Sequence, residues 1–148
     1  MVVPATNNVH QNQIISDMRL SSVGPAQVTG SDVIHEPSNM DLAMKLNYLR
    51  AVYYFRSSSV EGISVYTIKE ATFRRFNLYS HTCGRFQRSE SGRPFIKCND
   101  CGARFIEAQC SKTLDEWLEM KDSSLHNLLV SNQVLGPELD FSPPIFLQ

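Results

Sequence analysis

The chain of 148 residues has the length of one domain, and 42% hydrophobic with 20% charged residues is ordinary globular usage, which excludes a disordered or fibrous chain. A net charge of -1, with the densest basic group at Arg74-Arg75 and Arg85, Arg88 and Arg93 nearby, leaves no field to hold a polyanion, so no nucleic acid partner is expected. The longest apolar runs, Ala51 to Phe55 and Ile145 to Leu147, fall far short of the roughly 20 residues of a spanning helix, so no transmembrane segment is expected and any membrane association is peripheral or through a partner.

Met1 to Gln13 is polar and lacks the basic start and apolar middle of a secretory signal, so residues 1–13 read as a flexible leader and 14–148 as an incomplete domain. A strand is predicted near Asp17 to Val23, closed by a turn at Gly24-Pro25. Gly30 to Asn39 reads as a linker or surface loop, and Met40 to Leu46 as a short turn of helix. Tyr48 to Phe55 is nearly continuously apolar apart from Arg50, which predicts a central strand covered on both faces. From Thr67 the spacing turns helical: Ile68, Ala71 or Thr72, Phe76, Tyr79 and Cys83 share one stripe, with Lys69, Arg74, Arg75 and Asn77 mostly opposite. Thr67 is placed as N-cap with Glu70 at capping-box spacing, and Gly84 as a left-handed C-cap.

Arg85 then opens a strand. Ser91-Gly92 and Asp100-x-Gly102 supply the positive-φ positions that reverse a chain, so an antiparallel meander is predicted as far as Ala108. Thr113 to Met120 places Leu114, Trp117 and Leu118 at helical spacing with acids in the first turn. Gly136-Pro137 marks a turn, and Ser142 to Gln148 begins as a strand that stops abruptly, as in a chain cut short. The class is α+β or a mixed three-layer arrangement, with a strongly twisted mixed sheet and helices against it.

Cys98-x-x-Cys101 has the spacing to grip one side of a tetrahedral zinc, with Cys83, Cys110 or a histidine to complete it. The second Cys-x-x-Cys knuckle of a zinc ribbon is missing, and a hairpin turn flanked by buried free thiols is the preferred reading of the pair. Thioredoxin-like chemistry would need the pair at a helix N-terminus, whereas Asn99-Asp100 reads as a turn. Of the four histidines, His10 and His35 fall in leader or loop and His126 in a polar stretch. His81 precedes Gly84, where a helix-end imidazole stabilised by the dipole competes with a general base. No Gly-x-Ser-x-Gly elbow or glycine-rich phosphate loop occurs, Asp115-Glu116 reads as a solvated helix face, and Trp117 as core.

Several separated pieces nevertheless stand in a recognisable order. They are Arg19 to Ala26 with its Pro-Ala step, Met40 to Leu46 with the tyrosine-rich run after it, and the helix ending in Gly84-Arg85. The Cys98-Asn99-Asp100-x-Gly102 turn with Glu107-Ala108, Trp117-Leu118-Glu119, and Val134 to Leu139 with Phe141-Ser142-Pro143 complete the order. Together, from Asp17 to Gln148, they resemble the plant BAHD (HXXXD-type) acyltransferases, and within them the Eceriferum and Glossy branch connected with cuticular wax. The resemblance implies part of a chloramphenicol-acetyltransferase-like domain, a mixed sheet flanked by helices. In the full-length family two such domains bring acyl-CoA, as co-substrate, and an acceptor to a histidine in the channel between them. That histidine belongs to a His-x-x-x-Asp motif expected shortly after the strand beginning at Ile145. None of His10, His35, His81 or His126 has an aspartate four residues later, and the family's Asp-Phe-Gly-Trp motif is missing too, so no residue is assigned a catalytic, cofactor-binding or metal-binding role. The wax branch implies an accessory of the elongase condensing enzyme, extending very-long-chain acyl-CoA at the cytosolic face of the endoplasmic reticulum. The alternative is an acyl-CoA-dependent acyltransferase whose His-x-x-x-Asp motif lies beyond Gln148.

Overall fold

In the computed structural model, which describes residues 14–30, 32–44, 47–120, 122–131 and 141–148, the run Ile15–Val23 forms strand β1. A two-residue strand, β2 (Ile34–His35), lies inside the expected loop, and helix α1 (Asn39–Ala43) starts from Ser38 in a capping box with Asp41. Helix α2 spans Val65–Arg75 and is followed by the hairpin of β3 (Arg85–Arg88) and β4 (Pro94–Lys97). Then come β5 (Ala103–Cys110), helix α3 (Leu114–Glu119) and β6 (Phe146–Leu147). Thr113 and Glu116 form the capping box of α3, and Asp115 and Glu116 occupy the first turn as expected.

The strands divide between two sheets of three, ordered β1-β5-β6 and β2-β4-β3. Both the single sheet and the continuous meander expected from the sequence are therefore corrected. Ser91-Gly92 does reverse the chain between paired strands, with Gly92 at φ 82°. The Asp100-x-Gly102 turn instead carries the chain out of one sheet into the other, where β5 pairs antiparallel with β1 and parallel with β6. Asp100 and Gly102 take the positive φ values foreseen, 53° and 81°. The Asp100 carboxylate accepts from the backbone N–H of Thr29 at 2.8 Å and from its hydroxyl at 2.6 Å, which fixes the turn against the segment after β1.

The strand predicted over Tyr48 to Phe55 is not formed. The segment is irregular, with Leu49 98% and Tyr53 79% exposed. A run of apolar residues records a preference for burial but names no partner strand, and among the described residues no ladder engages it.

The helix predicted from Thr67 to Gly84 is also shorter. It starts two residues earlier, capped by the Ser64 hydroxyl, which accepts from the Thr67 N–H, while Glu70 pairs with Arg74 along the helix instead of closing a capping box. It stops at Arg75 and continues as 3-10 turns over Phe76–Leu78 and Ser80–Cys83. Tertiary partners end it: the N–H of Ala26 donates to the Phe73 carbonyl and that of Gln27 to the Asn77 side chain. Gly84 is not a left-handed cap, because its backbone is extended. Its glycine is required by crowding, since a Cβ there would lie 2.4 Å from the Lys97 carbonyl oxygen and 2.6 Å from Ile96 Cγ2.

The core gathers Val23, Phe76, Cys83, Ala103 and Phe105, with Ile145 and Leu147 packed on it. Arg85 is buried beside it and donates to the carbonyls of Gly84, Gly102 and Cys101 at 2.8, 2.8 and 3.2 Å. The turn at Gly136-Pro137 and the leader 1–13, with His10, lie outside the described residues.

Three substitutions separate crowding, buried charge and exposed charge. Gly84→Ala is expected to lower the unfolding free energy by about 3 kcal/mol, because Lys97 backbone must move, read as a fall in the urea midpoint. Arg85→Met strands the buried carbonyls of Gly84 and Gly102 and the part-buried one of Cys101, and is expected to lower it by about 3 kcal/mol. Arg56→Met, which breaks an ion pair with both side chains 67% exposed, is expected to change it by less than about 0.5 kcal/mol in the same titration.

Candidate functional site

The Tyr48–Phe55 segment, though not a strand, builds the most distinctive polar cluster of the chain. Tyr54 projects its hydroxyl between α3 and the 3-10 stretch Ser123–Leu129, where the Trp117 indole N–H donates to it at 3.3 Å and His126 Nδ1 lies 2.9 Å away. Indole can only donate, so the phenol oxygen accepts from Trp117 and its proton is free to point at Nδ1. The His126 ring stands edge-on to both Tyr54 and Trp117. Arg56 reaches Asp115 of α3 and holds the segment's end in place.

Beside this cluster opens a cavity of about 280 Å³, lined by the segment (Val52, Tyr53, Tyr54), the end of β5 and the start of α3, with Ile15, Leu129 and Gln148 closing it. Its walls are mainly apolar and aromatic, with a few polar groups, Lys112 among them, at defined places. Such a lining favours capture of an amphiphilic group. Among the described residues no carboxylate orients His126 from behind, and the partner of its Nδ1 is the Tyr54 hydroxyl.

The cysteines do not assemble. Cys83 and Cys98 are buried, and burial raises both thiols above their ordinary pKa, while Cys101 and Cys110 are exposed. Cys98 faces inward and Cys101 outward across the turn, and Cys110 lies at the far end of β5, roughly 23 Å from its start by strand rise. Among the described residues no group of three or more His, Cys, Asp or Glu could hold a metal ion.

His81 is half-buried and stacks on His35, with centroids 4.5 Å apart and planes 20° from parallel. Burial, and then the neighbouring His35, push its pKa down, the opposite of the dipole-stabilised imidazolium expected at a helix end. Stacked rings also cannot direct their in-plane nitrogens at one metal ion. Asp115 and Glu116 are solvated as expected, Asp115 toward Arg56 and Glu116 toward its own cap. Trp117 is core, and its indole N–H additionally fixes Tyr54. Sequence reasoning missed the pairing of Tyr54 with His126. The available signal was the tyrosine itself, since a large ring with a polar tip near an apolar run needs a partner for its hydroxyl.

The model of the Transferase family matches residues 15–148. The chain is 47% identical to Protein ECERIFERUM 26 of Arabidopsis thaliana over 134 residues, covering 90% of this chain and 31% of that protein. It is 41% identical to Protein ECERIFERUM 2 of Arabidopsis thaliana over 146 residues, covering 90% of this chain and 34% of that one. A hydroxycinnamoyltransferase of Narcissus pseudonarcissus is 28% identical over 137 residues, covering 91% of this chain and 31% of that enzyme. The chain thus spans about a third of the length of the curated relatives it matches. The Gly84-Arg85 junction, the Cys98–Gly102 turn and the strand into Ala108 all fall inside the matched region, and the chain belongs to the Transferase family of BAHD proteins.

Proposed function

We propose that this polypeptide acts in cuticular wax formation as an accessory of the elongase condensing enzyme, favouring the extension of very-long-chain acyl-CoA. The supporting observation is the gradient of identity, 47% and 41% to the two ECERIFERUM proteins against 28% to the hydroxycinnamoyltransferase. The chemistry of the described residues agrees with such a role. An apolar cavity headed by hydrogen-bonding groups binds an amphiphile without needing a base, and an accessory needs recognition and no bond-breaking group. On this reading the α+β unit is part of a chloramphenicol-acetyltransferase-like domain, working at the cytosolic face of the endoplasmic reticulum.

The match to a hydroxycinnamoyltransferase favours a second reading, an acyl-CoA-dependent acyltransferase whose base lies outside these residues. The two readings differ in what they do to a thioester. Microsomes carrying a plant condensing enzyme, supplied with very-long-chain acyl-CoA and labelled malonyl-CoA, are expected to make longer acyl products when this polypeptide is co-expressed. Unchanged chain lengths would overturn the accessory role. Formation of the ester with release of free CoA from acyl-CoA and an alcohol, without any elongase, by a longer protein that contains this polypeptide and supplies the base would favour the transferase reading instead.

A further inference from the structure

Strand β2 is lightly secured to the sheet it joins. It offers two residues to β4, Ile34 opposite Lys97 and His35 opposite Ile96, with a further bond from the Cys98 N–H to the Val33 carbonyl. So short a ladder, with Ile34 51% exposed, lies at the low end of local stability. The chain after it is tied down separately, because the Arg93 guanidinium donates to the Pro37 carbonyl at 3.0 Å and to Asn39 Oδ1 at 3.2 Å.

What β2 has besides its ladder is a ring. His35 stacks on His81 of the 3-10 turn Ser80–Cys83, with centroids 4.5 Å apart and planes 20° from parallel, and the His81 carbonyl accepts from the Gly84 N–H. The stack therefore joins β2 to the turn that leads into the Gly84-Arg85 junction. Beyond His81, Tyr79 stands edge-on at 6.5 Å, and the Arg75 guanidinium of α2 lies 5.3 Å from the Tyr79 centroid. Beyond His35 is Asp41 of α1, whose carboxyl is held below its usual range by the Ser38 hydroxyl and N–H and then by the charge of His35. Lys97 of β4 stands opposite Ile34, and Asp32 and Glu36 lie before and after His35 in the chain. Arg75 thus stands toward the His81 end of the stack and Asp41 toward the His35 end, an order that suits one charge on the pair and opposes two.

We propose that the His35–His81 stack is a pH-operated latch: with at most one ring charged it holds β2 on β4, and with both charged it opens and frees the β4 edge, while the Arg93 contacts and the β3-β4 hairpin stay closed. This goes beyond the accessory role and stands without it. Burial, and then His35, push the His81 imidazole below its ordinary value, so as pH falls the open form takes up that proton before the closed one. The latch is therefore complete above about pH 6.5, the ordinary imidazole value, and is lost as pH falls through the lower value of the closed form.

The test is amide hydrogen exchange of this polypeptide, read at each pH as protection relative to the intrinsic rate. Between about pH 7.5 and about pH 5, protection of the Cys98 N–H is expected to fall about fivefold, the factor that two like charges at the 4.5 Å stacking distance correspond to in water. Protection of the Gly102 N–H, which donates to the Cys83 carbonyl, is expected to stay unchanged. His81→Phe and His35→Phe each keep a stacked ring and remove one charge, so both are expected to abolish the fall at Cys98, with Gly102 protection showing each variant folded. Equal protection of Cys98 at the two pH values, or a fall that survives in both variants, would overturn the proposal. So would a parallel loss at Gly102, which marks general acid unfolding, or a Cys98 N–H already unprotected at the higher pH, which would mean that β2 does not close.

Discussion

Three backbone segments pass within touching distance at Gly84, Arg85 and Gly102, and the arrangement of both sheets depends on that crossing. A Cβ on Gly102 would sit 2.7 Å from the Val23 carbonyl carbon and oxygen, and one on Gly84 would sit 2.4 Å from the Lys97 oxygen. The Gly102 N–H donates to Cys83, and the Arg85 guanidinium gathers the carbonyls of Gly84, Cys101 and Gly102. Arg85 belongs to one sheet and the Cys101-Gly102 turn feeds the other, so this guanidinium is a clamp between sheets. Carbonyl oxygens replace the hydration that burial removes, which lets a cation stay beside the core without a carboxylate.

The crossing explains which parts of the fold were legible. The turn at Gly24-Pro25 marked the end of β1, Ser91-Gly92 marked the β3-β4 hairpin, and the helical spacing of Leu114, Trp117 and Leu118 with acids in the first turn marked α3, because each is decided by residues close in sequence. The end of α2 was hidden because its determinant, the Ala26 N–H on the Phe73 carbonyl, comes from far back in the chain. The role of Gly84 was misread for a similar reason, since its neighbour is Lys97 across a hairpin and not the helix before it. The division into two sheets follows from the Arg85 clamp and the Thr29-Asp100 contacts, neither of which leaves a periodic trace.

The site was less legible than the fold. Tyr54, Trp117 and His126 meet from positions 63 and 72 residues apart, and each alone has a bland explanation as a strand, core or surface residue. What the sequence did carry was the family pattern, which located Gly84-Arg85 and the Cys98–Gly102 turn as significant without saying why. The structure supplies the reason: these residues are the crossing itself, and Cys98 stands there as a buried thiol.

The described side chains also separate recognition from reaction. Proton abstraction from an acceptor needs an imidazole with a partner that steadies its charged form. His81 instead meets another imidazole and a low-polarity wall, which favour its neutral form, and His126 meets a phenol and the edge of an indole. Apolar surface is meanwhile left available on two sides of the same sheet region, in the cavity beside Tyr54 and in a cleft where Met18, Leu20, Ile106 and Phe146 surround Arg104. Each of these places pairs hydrocarbon with a small number of directional polar atoms, the combination that discriminates among amphiphilic partners. The clamp at Arg85 lies between the two sheets and fixes the start of β5, the strand whose residues contribute to both surfaces. The placement of either surface therefore depends on a buried cation that lines neither.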